Sequence, residues 1–599
     1  MSTIPERQDI PDAHKWDLSP MFADDAAWET LFRETEARIS GYKTYQGRLG
    51  ESASVLKEAI DYDLSVNRSL ELLYTYAHLR NDEDKTNPDY DGLFQKAVNL
   101  YARIAQASSF FTPEVQAIDS ATMEGFLAHK ELADYRFFLE KILRFKPHTR
   151  SEEVEELLAM SAEAMAAPSR IFSQLDNADL RFGTIHDEAG TPHELSHGNF
   201  IAFLMNPKRE VRKNAFNTYY SAYEAHKHTI GASLSAAIKK DLFISKAKRF
   251  DATLSRALFT DNVDKEVYTG LIDSVRNGFA PLFDYLNLRK KALGVDDLHI
   301  YDTYVPLASD VSFHMDYDEA VEVTLAALAP LGTAYVDTLK KGLTGGWVDR
   351  YENRGKRSGA YSSGCYDSNP YILLNHDANS INSLFTLAHE AGHSMHSHYS
   401  RTTQPYIYGD YTIFVAEVAS TLNEALLGRY LLEKYKGDKK METYIINREI
   451  DNIRGTLYRQ TMFAEFEMRI HAMAADNQAI TLETLTDLYA SLLADYFGDT
   501  LVVDEALKLE CLRIPHFYSS FYVYKYATGI SAALDIAGRI IKGEEGAVSR
   551  YMEFLTLGGS MFPVDELRVA GVDMTRPAPV NNTIAHFGGL VERLKALLA

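Results

Sequence analysis

Two histidines and a glutamate near the middle of the chain have the types and spacing of a metal-dependent hydrolytic site. They form the segment His389-Glu390-Ala391-Gly392-His393, an H-E-x-x-H pattern. In an α-helix, residues i and i+4 lie on one face, so the two histidines can bind a single metal ion. Glu390 lies about 100° around the helix from His389, where its carboxylate can act as a base on a metal-bound water without being a ligand. The pattern predicts one catalytic Zn²⁺ ion, and the alternative is a chance match on a core helix.

The residues before this pattern predict the elements that must position it. A short apolar run over 371–374, after a proline, predicts a strand. Ser380 can then cap the start of a helix. A peptide can lie along a sheet edge beside such a metal-binding helix. The residues that give the helix its periodic apolar face are Ile381, Leu384, Phe385 and Ala388.

Two residues downstream are candidates for the third protein ligand. His396 shares the face of the motif histidines, but three ligands on one straight helix suit a tetrahedral ion poorly, because the outer two lie roughly 10 Å apart along the axis. Glu417 lies in the apolar segment 411–427, where an unpaired carboxylate is costly to bury. We therefore predict Glu417 as the ligand, with His396 as the alternative ligand or else a residue behind the ligands or on the substrate side. Glu424 either orients a ligand histidine or is an ordinary surface charge.

Four segments of the chain carry a resemblance to a known family. They are HEAGHSMH from position 389, FVAEVASTLNEALL from position 414, KWDL from position 15 with Phe22, and PHFYSSFYVYKYATG from position 515. In this order they resemble the M3 family of zinc peptidases, and within it the bacterial oligoendopeptidase F group. The resemblance covers most of the chain and is densest from about 355 to 530. It implies that His389, His393 and Glu417 bind zinc and that Glu390 activates the water.

The family also has a downstream histidine and tyrosine that stabilise the oxyanion and bind the peptide backbone. His516 matches that histidine, whereas Tyr522, Tyr524 and Tyr526 are all candidates for the tyrosine. Tyr518, Tyr522 and Tyr526 have the spacing of one helix face, which favours Tyr522 and Tyr526. For Tyr518 and Tyr524 the alternative is packing in the core.

A glycine-bearing stretch, 357–365, lies just before the predicted strand. Its small residues, with Gly359 and the neighbouring Tyr361, would let a substrate backbone approach closely. The alternative is a mobile surface loop.

These features predict a metalloendopeptidase that hydrolyses internal bonds of short oligopeptides by Glu390-assisted attack of zinc-bound water. The alternative is a related zinc exopeptidase, either a carboxypeptidase or a peptidyl-dipeptidase, which would need a cationic residue for the terminal carboxylate. A more remote alternative is a catalytically inert peptide-binding protein. The family resemblance suggests helical lobes that enclose a substrate channel, which would admit short peptides and exclude folded proteins.

Composition limits the remaining possibilities. The 599 residues exceed what one hydrophobic core usually supports, and we predict an N-terminal helical region, 1–200, and a catalytic region, 201–599. Two cysteines and a polar N-terminus without a leader-like apolar run predict a cytoplasmic protein. The net charge of −22 argues against a nucleic-acid partner, and the sequence has no membrane-spanning run. The oligomeric state stays open.

The fold class predicted from periodicity is mainly α, with a small β element beside the metal-binding helix. A strand is expected at about 181–186, and another strand region at about 359–376. One helix near 149–167 is predicted to begin with a capping box of Thr149 and Glu152. The other predicted helices span about 25–45, 52–80, 91–118, 208–248, 264–292, 317–342, 440–475 and 481–497.

Overall fold

The computed structural model describes residues 4–308, 311 and 313–599, and helices dominate these residues, which confirms the predicted fold class. The α-helices before residue 300 are α1 (Asp25–Arg38), α2 (Ala53–Glu83), α3 (Pro88–Ser108), α4 (Phe111–Ala117), α5 (Ser120–Leu127), α6 (Arg136–Leu143), α7 (Glu152–Met165), α8 (Ala167–Gln174), α9 (His197–Leu204), α10 (Arg209–Ala247), α11 (Thr253–Phe259), α12 (Lys265–Asn277) and α13 (Ala280–Leu293). Those after it are α14 (Tyr317–Ala327), α15 (Thr333–Thr344), α16 (Ile381–Thr403), α17 (Ile413–Lys434), α18 (Lys439–Ile453), α19 (Gln460–Ala475), α20 (Leu482–Phe497), α21 (Glu510–Arg513), α22 (Tyr524–Ile541), α23 (Ala547–Leu555), α24 (Pro563–Val569) and α25 (Ala578–Leu598).

Several segments predicted as single helices are interrupted in the structure. The segment 264–292 divides into α12 and α13 at Gly278, and 317–342 divides into α14 and α15 at Gly332, where φ is +96°. The segment 440–475 continues from α18 into α19 through a π-helical turn, Arg454–Arg459. Glycine lacks the Cβ that disfavours positive φ, so it allows the sharp change of direction at Gly332.

The start of helix α7 differs from the predicted capping box of Thr149 and Glu152. The helix begins at Glu152 with Ser151 as its N-cap residue, and the Ser151 side chain makes no capping hydrogen bond. The carboxylate of Glu155 instead accepts a hydrogen bond from the backbone N–H of Arg150 at 2.8 Å. The N-cap residue therefore lies two residues after the predicted one, and Glu155 accepts a hydrogen bond from a backbone N–H ahead of the helix.

Two small sheets accompany the helices. Strands β1 (Thr184–His186) and β2 (Pro192–Glu194) pair antiparallel around a turn, close to the predicted strand at 181–186. The second sheet contains β3 (Val348–Asp349), β4 (Tyr361–Ser363) and β5 (Tyr371–Leu373) in the order β3-β5-β4. Strand β5 pairs parallel with β3 and antiparallel with β4, with Ser362 opposite Ile372.

The central position of β5 explains its sequence. All three of its residues are buried, as expected for a strand covered on both faces. Strands β4 and β5 lie against α16, so the small sheet is beside the H-E-x-x-H helix as predicted. Tyr371 and Leu373 belong to a core cluster that includes Trp16 and Trp28 from the N-terminal segment.

The chain forms two compact units, each assembled from three segments. The first comprises Met1–Pro147, Ser312–Tyr430 and Ile536–Gly571, and the second comprises His148–Val311, Leu431–Asp535 and Val572–Ala599. The boundary near residue 200 falls inside the first segment of the second unit, and the division into 1–200 and 201–599 stays a prediction. Cys365 and Cys511 are both buried and free. None of the helices in the described residues is long and apolar enough to cross a bilayer.

Candidate metal centre

Helix α16 of the first unit presents the H-E-x-x-H residues. Its apolar side, with Leu384, Phe385 and Ala388, is buried, as the periodicity predicts. Ser380 occupies the N-cap position, but its side chain makes no capping hydrogen bond. The rings of His389 and His393 lie one turn apart, with centroids 4.9 Å from each other.

Glu417, on α17, completes a group that has the dimensions of a tetrahedral metal site. Its Oε2 lies 3.4 Å from Nε2 of His389 and 3.4 Å from Nε2 of His393. The three ligand atoms all lie within 4.8 Å of one another. Zinc–ligand bonds of about 2.0–2.1 Å in a tetrahedron place neighbouring ligand atoms about 3.3 Å apart. The two distances from Glu417 therefore match the ligand spacing around a single tetrahedral ion.

The charges of this group are strongly coupled. Burial would raise the pKa of Glu417, but hydrogen bonds from the two histidines lower it well below its usual range. Burial opposes protonation of His389, yet Glu417 and Glu424 raise its pKa to about 10. The carboxylate of Glu417 therefore favours a positive charge on the two histidines. A metal cation bound between the three side chains would supply that charge instead.

Glu424 lies behind His389, one of the two positions predicted for it. Its Oε1 is 2.8 Å from Nδ1 of His389, and its side chain is 16% exposed. A carboxylate on Nδ1 fixes the tautomer that leaves Nε2 free as a ligand atom. The position of Glu424 therefore suits a residue that orients His389. It does not suit an ordinary surface charge, because the side chain is mostly buried.

A close crossing of α16 and α17 sets the distance between the ligands. A Cβ atom on Gly392 would lie 2.6 Å from both the Ala419 carbonyl oxygen and the Ser420 Cα. Asn423 donates a hydrogen bond to the Ala388 carbonyl at 3.1 Å and accepts one from Tyr335 at 3.2 Å. The two helices that carry the candidate ligands are therefore in close contact at the glycine of the motif.

Glu390 is 7% exposed and lies between the histidines and strand β4. Burial raises the pKa of its carboxyl group, while the two histidines and a backbone hydrogen bond from Ser362 oppose that rise. The hydroxyls of Ser362 and Ser394 are 2.8 Å apart, which ties β4 to α16. A buried carboxyl with a raised pKa suits a group that accepts and returns a proton.

His396 does not join the three ligand atoms. It is 1% exposed and stacks on Tyr411 with ring centroids 3.6 Å apart. Burial lowers its pKa to about 3, so the ring is neutral. The side chain lies on the buried side of α16 next to Phe554, which favours Glu417 over His396 as the ligand.

Tyr361 is the first residue of β4, and Gly359 lies two residues before it. Gly359 has φ of +83°, and its carbonyl accepts a hydrogen bond from Asn375 at 2.8 Å. The Tyr361 hydroxyl donates to Asp82 at 2.9 Å, and its ring stacks on His78. The Tyr361 side chain is therefore engaged in an ionic cluster, and its backbone is the part that belongs to the edge strand.

The histidine and tyrosines of the 515–529 segment lie in the second unit and form a cluster of their own. The His516 ring stacks on Tyr522 with centroids 5.8 Å apart, and its Nε2 is 3.4 Å from the Tyr526 hydroxyl. Tyr522 and Tyr526 also contact each other, with centroids 5.4 Å apart. Burial lowers the pKa of His516.

The predicted single helix face of Tyr518, Tyr522 and Tyr526 is wrong. A 3₁₀ turn ends at Tyr518, residues 519–523 are not helical, and α22 begins at Tyr524. Tyr518 stacks on Phe172, and Tyr524, 1% exposed, packs on Tyr268, so both follow the core-packing alternative. Phe521, three residues before α22, has a left-handed backbone conformation that is incompatible with a continuous α-helix over 518–526.

Three residues that support the site were not predicted from the sequence. They are Gly392, Ser420 and Asn423. The Ser420 hydroxyl lies 3.0 Å from Oε2 of Glu417, the oxygen that faces the histidines. Their signal was faint: Ser420 and Asn423 are small polar residues within the apolar run around Glu417, and Gly392 is a glycine inside a helix.

Comparisons with known proteins show which family the chain resembles. A profile of peptidase family M3 matches residues 202–586, and one described as oligopeptidase F matches 114–182. The oligopeptidase PepF of Bacillus subtilis is 45% identical over 596 residues, 99% of this chain and 89% of that protein. An oligoendopeptidase F homolog of Borreliella burgdorferi is 41% identical over 592 residues, 99% of each chain.

Solved structures give the same result. A putative peptidase from Chlamydophila abortus superposes with a TM-score of 0.92 at 36% identity, over 99% of this chain and 100% of that one. The oligoendopeptidase-F of Enterococcus faecium superposes with a TM-score of 0.75 at 33% identity, over 96% and 99% of the two chains. By sequence profile, relatives and structure, the chain belongs to peptidase family M3.

Proposed function

We propose that this metalloendopeptidase uses one zinc ion, held by His389, His393 and Glu417, to hydrolyse internal bonds of short oligopeptides. The observation that carries the proposal is the pair of 3.4 Å distances from Glu417 to the two histidines, which match the edges of a tetrahedral site. Two imidazoles and a carboxylate are a ligand set of catalytic zinc, and they leave one position open.

The side chains around the ion have separate tasks. A bound zinc ion supplies Lewis-acid activation of water and of the scissile carbonyl. Glu390 accepts the proton of the attacking water and passes it to the leaving amine, a transfer that suits its raised pKa. Glu424 keeps Nε2 of His389 unprotonated and available through its hydrogen bond to Nδ1.

The edge strand β4 is the place where we expect the substrate backbone to bind. The order β3-β5-β4 leaves one side of β4 unpaired within the described sheet, and that strand lies next to α16. An extended peptide that adds to such an edge gains main-chain hydrogen bonds with little dependence on its sequence. This mode suits an enzyme for unstructured peptides of varied sequence.

The second-unit cluster keeps the role implied by the family resemblance. His516 and Tyr526, with Tyr522 beside them, are proposed to donate hydrogen bonds to the developing oxyanion and to bind the peptide backbone. Loss of one such donor typically lowers the rate by about 10²–10³-fold. The enclosed channel and the cytoplasmic location also remain proposals, and the two buried free cysteines support a reducing compartment.

A peptide-mapping experiment tests the proposed function. Peptides of 5 to 20 residues, with free or amidated C-termini, are incubated with the enzyme and with the enzyme treated with a chelator, and products are identified by mass spectrometry. We expect internal cuts that chelation abolishes and that amidation does not affect. Cuts confined to free C-terminal ends would instead establish an exopeptidase, and no cuts by the zinc-loaded protein would establish an inert binder.

A further inference from the structure

The loop between the His516 turn and helix α22 contains an unusual backbone conformation. In the described residues, four non-glycine residues have positive φ: Arg249, Asn262, Asn477 and Phe521. The first three follow within three residues of the ends of α10, α11 and α19, where a left-handed residue commonly closes a helix. Phe521, with φ of +62°, instead precedes α22. A bulky residue rarely adopts this conformation unless its surroundings enforce it.

A buried carboxyl group accepts a hydrogen bond from the backbone of Phe521. The Phe521 backbone N–H donates a hydrogen bond of 2.7 Å to Oε1 of Glu467, which projects from α19. Glu467 is 2% exposed, and its Oε2 has no hydrogen-bond partner among the described residues. Burial raises its pKa well above its usual range, the bond from Phe521 opposes this, and nearby Asp241 adds to it. The carboxyl is therefore held in a position where an apolar side chain would be less costly to bury.

Other contacts hold the same loop on both sides of Phe521. The Ser520 hydroxyl donates to Asp241 at 2.6 Å, and Asp241 also binds Arg256 at 3.0 Å. Beyond the loop, Lys525 forms a 2.6 Å ion pair with Asp261. The loop is thus fixed by polar groups from several other elements of the second unit, and the Glu467 bond is the one made to its left-handed residue.

The position of this loop determines where the proposed oxyanion donors lie. It follows the turn that carries His516, and it ends where Tyr522 and the first turn of α22, with Tyr526, begin. If Phe521 left the left-handed conformation, the direction of the chain at Tyr522 would change. The 3.4 Å approach of Tyr526 to His516 and the stacking of His516 on Tyr522 would then be lost.

We propose that Glu467 is a positioning residue of this peptidase, which holds Phe521 in the left-handed conformation and thereby places Tyr522 and Tyr526 against His516. The inference rests on the proposed role of that cluster in stabilising the oxyanion. Glu467 itself touches neither substrate nor zinc in this account. Its effect passes through one backbone hydrogen bond, so a side chain with an acceptor oxygen at the same place should replace it.

A double-mutant cycle with the zinc-loaded full-length enzyme tests the inference. Glu467→Met removes the acceptor but keeps an unbranched side chain, Glu467→Gln keeps an acceptor oxygen, and Tyr526→Phe removes the proposed donor. We expect Glu467→Met to lower kcat about 10–100-fold with KM changed less than about 3-fold, because small misplacements of reacting groups have effects of this size. Glu467→Gln should stay within about 3-fold of the parent. In the Tyr526→Phe background, Glu467→Met should lower kcat by less than about 3-fold further.

The matched control is Leu492→Ala, which loses buried packing in α20 without removing a hydrogen bond from the loop. It should lower the melting temperature and leave kcat unchanged. If Glu467→Met fails to fold, hydrogen exchange at the Phe521 amide of the parent enzyme provides the test. We expect a protected amide, and rapid exchange there would overturn the inference.

The outcomes separate this inference from the proposed function. If Tyr526→Phe lowers kcat but Glu467→Met does not, or if their effects multiply, the positioning role is refuted and the oxyanion role stands. If Tyr526→Phe leaves kcat unchanged, Tyr526 is not an oxyanion donor, and the positioning role proposed for Glu467 is refuted with it. Internal, chelator-sensitive cleavage would still establish the endopeptidase in either case.

Discussion

Replacement of Gly392 by alanine should separate the two helices that carry the proposed metal ligands. The added Cβ would lie 2.6 Å from the Ala419 carbonyl oxygen and the Ser420 Cα, whereas ordinary contacts begin at 3.4 Å. The helices would have to move apart by about 0.8 Å, the difference between these distances. Glu417 lies two residues from Ala419 on the helix that must move. Metal–ligand distances tolerate only about 0.2 Å of deviation, so the carboxylate would no longer reach an ion held by the histidines.

The size of the effect follows from this displacement. Overpacking costs about 1–3 kcal/mol, and alanine in place of glycine in a helix recovers about 0.5–1 kcal/mol. The metal-free protein should therefore lose about 0–2.5 kcal/mol of stability. Zinc affinity should fall by about 100-fold or more, because the change removes a ligand, and the loss of a residue behind a ligand already costs about 10–100-fold.

Competition with a chromophoric chelator measures the zinc affinity, and thermal unfolding of the metal-free protein measures stability. Gly538→Ala is the matched control, since Gly538 lies in α22 and its added Cβ would meet no atom within 4 Å. That variant should keep the parent zinc affinity. If Gly392→Ala also keeps the parent zinc affinity, the two helices accommodate the methyl group, and their close crossing does not set the position of Glu417.

Two further predictions concern carboxylates of the first unit. Glu424→Gln should weaken zinc binding about 10-fold, because the amide is a poorer acceptor for His389 Nδ1–H; unchanged affinity in the chelator competition would contradict this. Glu71 lies on α2, where burial and Asp410 raise its pKa to about 6 against a hydrogen bond from Tyr406. The folded state therefore favours the protonated acid, and its stability contribution, fully present below about pH 4.5, is lost as the pH rises through 6. Glu71→Gln should remove a penalty of about 1 kcal/mol after allowance for partial exposure, so its gain in melting temperature should be larger at pH 7.5 than at pH 5.

The candidate metal site could be located from sequence because its determinants are local. Residues at i and i+4 of one helix need only the helix itself to bring them together, and the periodic apolar residues before His389 predict that helix. Glu417 could be inferred from the cost of a carboxylate in an apolar run. The structure adds the distance between α16 and α17, which depends on contacts between residues distant in sequence, such as Asn423 with Ala388.

The errors arose where tertiary contacts override local preference. Tyr518, Tyr522 and Tyr526 have helical spacing, but Glu467, more than fifty residues earlier, holds Phe521 in a conformation that ends any helix. Nothing in residues 515–529 contains that information. Strand β3 was missed for a different reason, since its two residues pair with β5 and are too short to show any periodicity.

Zinc content and turnover should be measured on the same preparation of Glu390→Gln, with Glu417→Ala and His396→Ala measured in parallel. Glu390→Gln should bind one zinc ion per chain and lose about 10²–10⁴-fold in kcat, since it lacks the general base and keeps the ligands. Glu417→Ala should lose zinc, and His396→Ala should retain it. Turnover by Glu390→Gln at the parent rate, or zinc kept by Glu417→Ala and lost by His396→Ala, would contradict the assignment of base and ligands.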